Sequence, residues 1–344
     1  MSNAAGRPRG WLRRLKPEPF VLLLVAAVVL ASLLPVRGEA ARQLELVGKL
    51  AIALLFFLHG ARLPRAAVVA ALSHWRLHLT VLAATFALFP LLGLAAAWLM
   101  RPLLPPLLPA GLIFLACLPS TVQSSIAFTS VARGNVAAAV TSASLSNVVG
   151  MLLTPLLVAL LLGARAGGFS LDAVEAILLQ LLAPFAAGQV LRSWIGPWID
   201  RRKRLLTLVD RGTIALIVYL AFSAAVVGGI WSRVSPAQLA LVLAACAGML
   251  AAIIVATTQG ARRLGFDRAD EIVVVFCGSK KTLTGVAMAG ILFPPAVAGV
   301  IVLPLMIFHQ LQLMVCAVLA QHYASRALDQ ESAPSAELQN TAQV

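Results

Sequence analysis

Two adjacent lysines, Lys280 and Lys281, sit in the middle of an apolar stretch, residues 272–293, that is long enough to cross a bilayer. A charge at bilayer depth costs about 2.5–3.5 kcal/mol on insertion scales, so two together are not aimed at lipid. They mark a protected polar site. The run GSKKTLTG, residues 278–285, has glycine at each end and hydroxyls between, which suits a helix that breaks and turns backbone groups toward a cavity.

The rest of the chain agrees with a membrane setting. Sixty per cent of residues are hydrophobic, 12% are charged and the mean hydropathy is +0.94. That profile excludes a soluble domain and predicts an all-α polytopic membrane protein in contact with the lipid bilayer. Apolar runs bounded by charge or proline give ten spans, near 19–36, 44–61, 78–100, 107–131, 136–163, 173–192, 206–230, 236–260, 271–294 and 296–322. The net charge of +14 follows topology. With the N-terminus inside, cytoplasmic segments collect about three times as many Lys and Arg as the outer ones, which predicts both termini in the cytoplasm. No soluble basic domain or aromatic platform is available for nucleic acid. The first apolar run exceeds a signal-peptide core and is read as a retained span. The four cysteines, Cys117, Cys246, Cys277 and Cys316, fall in spans without close pairing and read as small core residues.

Ten spans divide into two sets of five, and inverted five-helix repeats place the fourth and ninth spans in matching positions. Both carry a polar interruption: LPSTVQSSIAFTS, residues 118–130, and FCGSKKTLTGVAMA, residues 276–289. The predicted organisation is a basic cytoplasmic arm (1–18), a first repeat (19–163), a second repeat (164–324) and a disordered cytoplasmic tail (325–344). A broken helix exposes carbonyls at the end of its first half and amides at the start of its second, so one end attracts cations and the other anions. Candidate lining residues are Gln123, Ser124, Ser125 and Thr129 in the fourth span and Ser279, Lys280, Lys281, Thr282 and Thr284 in the ninth. His309, Gln310 and Gln312 of the tenth span either line the cavity or bond between helices. The lysines are read in three ways: as a tethered cation or proton-exchanging group, as charge partners of an anionic solute, or as donors to carbonyls of the facing broken helix that lock the architecture.

The run ARGNVAAAVTSAS (132–144), the paired interruptions, and FCGSKKTLTG and LPLMIFHQLQLMV (303–315) resemble the bile acid:sodium symporter superfamily, in its bacterial branch related to the vertebrate solute carrier family 10 member 7. The resemblance covers about residues 15–324. It implies a transporter of the bacterial inner membrane with ten helices, a core domain holding crossed fourth and ninth spans, and a panel of the first, second, sixth and seventh. The same resemblance implies a sodium site built from a Ser-Asn pair, hydroxyls of the fifth span, and a Glu and Gln of the ninth. Here Ser125 matches the serine, but Ile126, Ala139, Ala143 and Gly278 stand where ligands are expected and Thr282 replaces the glutamine. Sodium coupling is therefore in question, and a lysine in the ion's place is the alternative.

Other polar residues have plainer readings. His74 and His78, four apart, have metal-ligand spacing but no third ligand nearby, and are read as interfacial anchors. His59 is read as structural, and Asp267, Asp270 and Glu271 as helix-capping acids. No HExxH, GxSxG or P-loop pattern is present, so no enzyme, metal site or cofactor is expected. The predicted function is secondary transport of a small organic, anionic or amphipathic solute by alternating access, with sodium or protons as the coupling ions to consider. A Ser124–Lys281 intramembrane hydrolase and a non-transporting membrane regulator are the competing classes; no oligomeric state is specified.

Overall fold

The computed structural model describes residues 19–62, 74–163, 171–229 and 234–332. The basic arm and the last twelve residues of the tail lie outside them. The described residues form helices and no strand. In chain order these are α1 (Pro19–Leu33), α2 (Gly38–Arg62), α3 (Trp75–Met100, with a π turn at Ala84–Leu88), α4 (Leu107–Cys117), α5 (Val122–Val131) and α6 (Val136–Leu162). They continue as α7 (Leu171–Arg201), α8 (Lys203–Val227), α9 (Pro236–Arg263), α10 (Arg268–Gly278), α11 (Gly285–Leu292) and α12 (Pro295–Ser332).

Six of these, α2, α3, α6, α8, α9 and the stretch Pro295–Arg326 of α12, are long and apolar enough to cross a membrane. The pair α4/α5, bent by 63°, makes a seventh if taken as one span. The chain is thus an all-α, multi-pass membrane protein, and fewer spans meet the criterion than the ten expected. Two of the missing spans have local causes. The apolar part of α1 covers only Leu22–Leu33, and the ninth expected span is divided into helices of 11 and 8 residues. At the other end α12 runs on to Ser332, so the first part of the expected disordered tail is helical.

The distribution of side chains is that of a protein in lipid. Leu160 and Val318 are 78% and 71% exposed, whereas Lys280 and Lys281 are completely buried. Exposed Trp75 and Trp98 stand at the two ends of α3, where amphipathic rings favour the membrane–water boundary.

Close packing depends on small residues. Helices α2 and α7 meet backbone to backbone: a Cβ at Gly60 would lie 2.0 Å from the Phe185 carbonyl oxygen, and one at Gly188 would lie 2.0 Å from that of Phe57. Helix α1 packs on α8, and α8 on α2, so α1, α2, α7 and α8 form one contiguous group. Gly299 fits α12 against the Ala221 carbonyl of α8, joining that group to the remaining helices. Within the rest, Gly93 brings α3 onto Ala116 of α4, and Gly111 admits Pro304 and the Ile301 carbonyl of α12. Such contacts are the usual means of helix association where lipid removes the hydrophobic driving force.

Gly188→Ala is expected to lower the melting temperature of the purified protein and to cost about 1–3 kcal/mol through overpacking. Gly212→Ala, on a helix face with open space around the added methyl, is expected to be neutral or to stabilise by up to about 1 kcal/mol. Equal melting temperatures for the two variants would refute the interlock.

Candidate functional site

The breaks in α4/α5 and α10/α11 lie against each other and exchange backbone bonds. Thr282 N–H donates to the Pro119 carbonyl (3.0 Å), and the Thr121 hydroxyl donates to the Lys281 carbonyl (2.8 Å). A helix that stops in an apolar surrounding must have its last carbonyls satisfied by something other than water. At and just beyond the end of α4 the carbonyls from Ala116 to Ser120 are each accounted for. Cys117 O accepts from Thr154 Oγ1 (2.8 Å), Ser120 O from Asn147 Nδ2 (2.8 Å), and Ala116 O and Leu118 O both accept from Lys281 Nζ (2.8 and 2.6 Å).

The third proton of Lys281 goes to Thr85 O at 2.9 Å. That carbonyl is free for a local reason. The π turn hands Phe89 N–H to Ala84 O, and the next residue, Pro90, has no N–H to offer. The ammonium therefore has three carbonyl acceptors, matching its three donors, with the Phe89 ring centroid 4.2 Å away. Its backbone is held as firmly: Gln312 accepts from Lys281 N–H through Oε1 and donates to Lys281 O through Nε2, both at 2.8 Å. His309 Nδ1 lies 2.8 Å from Gln312 Nε2.

Lys280 points to α5. Its Nζ donates to Ser124 O (2.8 Å) and stands 3.8 Å from the centroid of Phe128 and 5.4 Å from that of Phe276. Ser125 donates to Phe276 O (2.9 Å) at the end of α10, so both broken helices give carbonyls to side chains of the other. Ser279 bonds within its own helix, to Val275 O.

Beside the crossing is a cavity of about 630 Å³. One side is formed by α5, α6, the α10/α11 break and α12; the other by α1, α2, α7 and α8. Of the residues expected to line it, Gln123, Ser124, Thr282, Thr284 and His309 do so. Ser125, Thr129, Ser279, Lys280, Lys281, Gln310 and Gln312 are not on its wall. The lysines thus do not present charge to this cavity. Desolvation explains it: a bare ammonium facing an apolar wall would lack partners that the carbonyl ends supply. Lys280 lies one layer behind, since its partners Ser124 and Phe128 are wall residues. A Ser124–Lys281 pair is not formed, because Lys281 Nζ is committed to carbonyls.

Several wall residues went unrecognised in the sequence. Asn147 on α6 and Arg62 and Asp210, which form an ion pair between α2 and α8, all face the cavity. Asp210 lies inside an expected span, and an acid at that depth is itself a signal. His59, read as structural, is also on the wall, with Nδ1 bonded to Leu55 O (2.8 Å). His78, expected as an interfacial anchor, is buried and bonds Ser142 Oγ at 2.7 Å. Among the described residues no His/Cys/Asp/Glu cluster has the makings of a metal site. Asp267 caps α10 through Asp270 N–H (2.8 Å) as expected, whereas Glu271 pairs with Arg262 and Tyr323.

Comparison with known proteins gives these features a family. A model described as the SBF-like CPA transporter family matches residues 18–325. The chain is 57% identical over 322 residues to a Pseudomonas aeruginosa protein of no assigned function, covering 93% of this chain and 97% of that one. It is 52% identical over 307 residues to YfeH of Escherichia coli, whose name marks it as a candidate symporter, covering 89% and 92%. A mouse protein named sodium/bile acid cotransporter 7 is 29% identical over 329 residues, covering 90% and 93%. The family description and the names of the last two relatives are those of transporters, not enzymes, and they agree with the resemblance to the bile acid:sodium symporter superfamily. The chain belongs to the SBF-like CPA transporter family, a multi-pass membrane protein built to handle a small-molecule solute.

Proposed function

We propose that the protein is a secondary transporter of a small organic solute, anionic or amphipathic, that works by alternating access and holds no sodium ion at its helix crossing. The observation that carries this reading is Lys281, whose ammonium fills a cage of three carbonyl oxygens where two broken helices meet. Carbonyl ends of broken helices are where transporters place coupling cations; here a covalently attached one stands in. Consistent with that, among the described residues no carboxylate bonds the crossing: Glu271, at the start of α10, is engaged by Arg262 and Tyr323.

In this reading the twelve described helices, with α4/α5 and α10/α11 each taken as one broken span, are ten spans in two inverted five-helix repeats, residues 19–163 and 164–324. The group α1, α2, α7 and α8 is the panel, and the others form the core. The cavity between them is the solute site, opened to one side of the inner membrane and then the other by movement of core against panel. An anion is supported by the first turn of α5, whose N-cap residue Thr121 gives its hydroxyl to Lys281 O and makes no side-chain cap. Both termini are placed in the cytoplasm by the bias in basic residues.

Two measurements test it. All four native cysteines are buried, so Ser144→Cys, a cavity-wall position, supplies a distinct reporter. A membrane-impermeant thiol reagent is expected to modify it in right-side-out and in inside-out vesicles; modification from one side only would overturn alternating access. Secondly, sodium added to the purified parent, against choline at equal ionic strength, is expected to leave the melting temperature unchanged. Lys281→Ala is expected to melt lower, by the equivalent of about 3 kcal/mol or more, because buried acceptors lose their charge partner. Sodium is expected to restore part of that loss by binding the emptied cage. Specific stabilisation of the parent by sodium would refute the tethered-cation reading.

A further inference from the structure

The corner between α7 and α8 carries four cations in a row, Arg201, Arg202, Lys203 and Arg204, and all four are exposed. Arg202 alone joins the two helices, yet the corner is firm. Ile199 before it and Leu206 after it are buried with Leu58 and Ala61 of α2. Arg202 N–H donates to Ile199 O (3.0 Å), and Leu206 N–H to Arg202 O (3.1 Å). The charges therefore stand on a fixed scaffold. Among the described residues none of the four pairs with an acid; Asp200, the acid next to them in sequence, is exposed as well. Cations on the remaining helices are more often engaged within the protein. Arg76 donates to Leu264 O, Arg262 to Glu271 and Arg268 to Tyr323 O, while Arg263 and Arg326 are left exposed, one on each of two helices.

The surface next to the four cations is apolar. Trp194, Trp198 and Arg202 follow at four-residue spacing, and the Arg202 guanidinium lies 5.4 Å from the Trp198 ring centroid. Trp194 and Trp198 are 74% and 49% exposed, and Leu205 and Leu208 of α8 are exposed too. Indole rings favour the membrane–water boundary, which puts the cations at headgroup depth. Apolar side chains then follow within one or two helical turns, about 5–11 Å. An anionic phospholipid has the same order, a phosphodiester at the boundary and hydrocarbon beneath it, and runs of four or more basic residues at a span end attract such lipids. Guanidinium forks match phosphate oxygens. A nucleic acid or an acidic peptide would answer the charge alone and leave the indoles and leucines uncovered. We propose that the α7–α8 corner is a binding site for an anionic phospholipid, with Arg201, Arg202, Lys203 and Arg204 on its phosphodiester and Trp194, Trp198 and Leu208 against its chains. A lipid held there ties the group α1, α2, α7 and α8 to one depth in the bilayer.

The test is the melting temperature of the purified full-length protein, stripped of lipid in a neutral detergent and titrated with phosphatidylglycerol, phosphatidylcholine or inorganic phosphate. Phosphatidylglycerol is expected to raise it by mass action, and the other two to leave it unchanged at the same concentration. A basic residue at an anionic headgroup is worth about fivefold in affinity. Replacing Arg201, Arg202, Lys203 and Arg204 together by Gln is therefore expected to raise the phosphatidylglycerol concentration needed for half the effect by about tenfold or more. The double variant Lys203→Gln/Arg204→Gln, which keeps two cations for membrane insertion, is expected to raise it about threefold or more. Arg263→Gln/Arg326→Gln removes as many charges elsewhere and is expected to change it less than about twofold. Equal stabilisation by phosphatidylglycerol and phosphatidylcholine, or equal losses in the two double variants, would overturn the site. Stabilisation by inorganic phosphate alone would overturn it in favour of a soluble phosphate compound.

Discussion

Everything at the centre of this molecule is arranged around one ammonium group with no water to bond. Lys281 is wholly buried, and its charge is tolerable only because three backbone carbonyls converge on it from two helices. The dependence runs both ways. Without the lysine, the end of α4 and the π turn of α3 present bare acceptors to an apolar interior; without those irregularities, the lysine has nowhere to go. The defects in three helices, the π turn and the two breaks, are thus parts of a single interaction.

The polar side chains around the crossing divide into two layers with different work. Gln312, Thr154 and Ser125 bond backbone groups released by the breaks, and so hold non-helical chain at membrane depth, while Asn147 and Thr121 do the same from the cavity wall. Ser124, Thr282, Thr284, Arg62 and Asp210 face the cavity. Lys280 belongs to the first layer by its bond to Ser124 O, yet stacks on Phe128, a residue of the wall.

The sequence made the breaks visible because polar residues interrupt two apolar runs, a signal independent of tertiary contacts. Gln123, Ser124, Thr282 and Thr284 were found that way and are on the cavity wall, as is His309, which was named from its place in the tenth span. The role of the lysines was not decidable from spacing. Whether an ammonium faces a cavity or a carbonyl depends on where Thr85 O and Leu118 O lie in space, and Thr85 is almost two hundred residues away in the chain. Arg62 escaped notice because it ends a span and reads as one more cytoplasmic cation; only its meeting with Asp210 across two helices gives it another meaning. His78 looked interfacial from its neighbours Trp75 and Arg76, and its burial depends on Ser142 of a distant helix.

The reciprocal seating of Gly60 and Gly188 also bears on how this protein can move. Helices α2 and α7 touch through main-chain atoms on both sides, so neither can slide along the other without carbonyl oxygens colliding. Shear motions, which rely on side chains trading rotamers across an interface, are blocked where the two backbones meet at these glycines. The two helices must therefore travel as a single rigid plank. Arg62, two residues beyond Gly60, is carried on that plank, so the angle of the plank sets the position of one charged corner of the cavity.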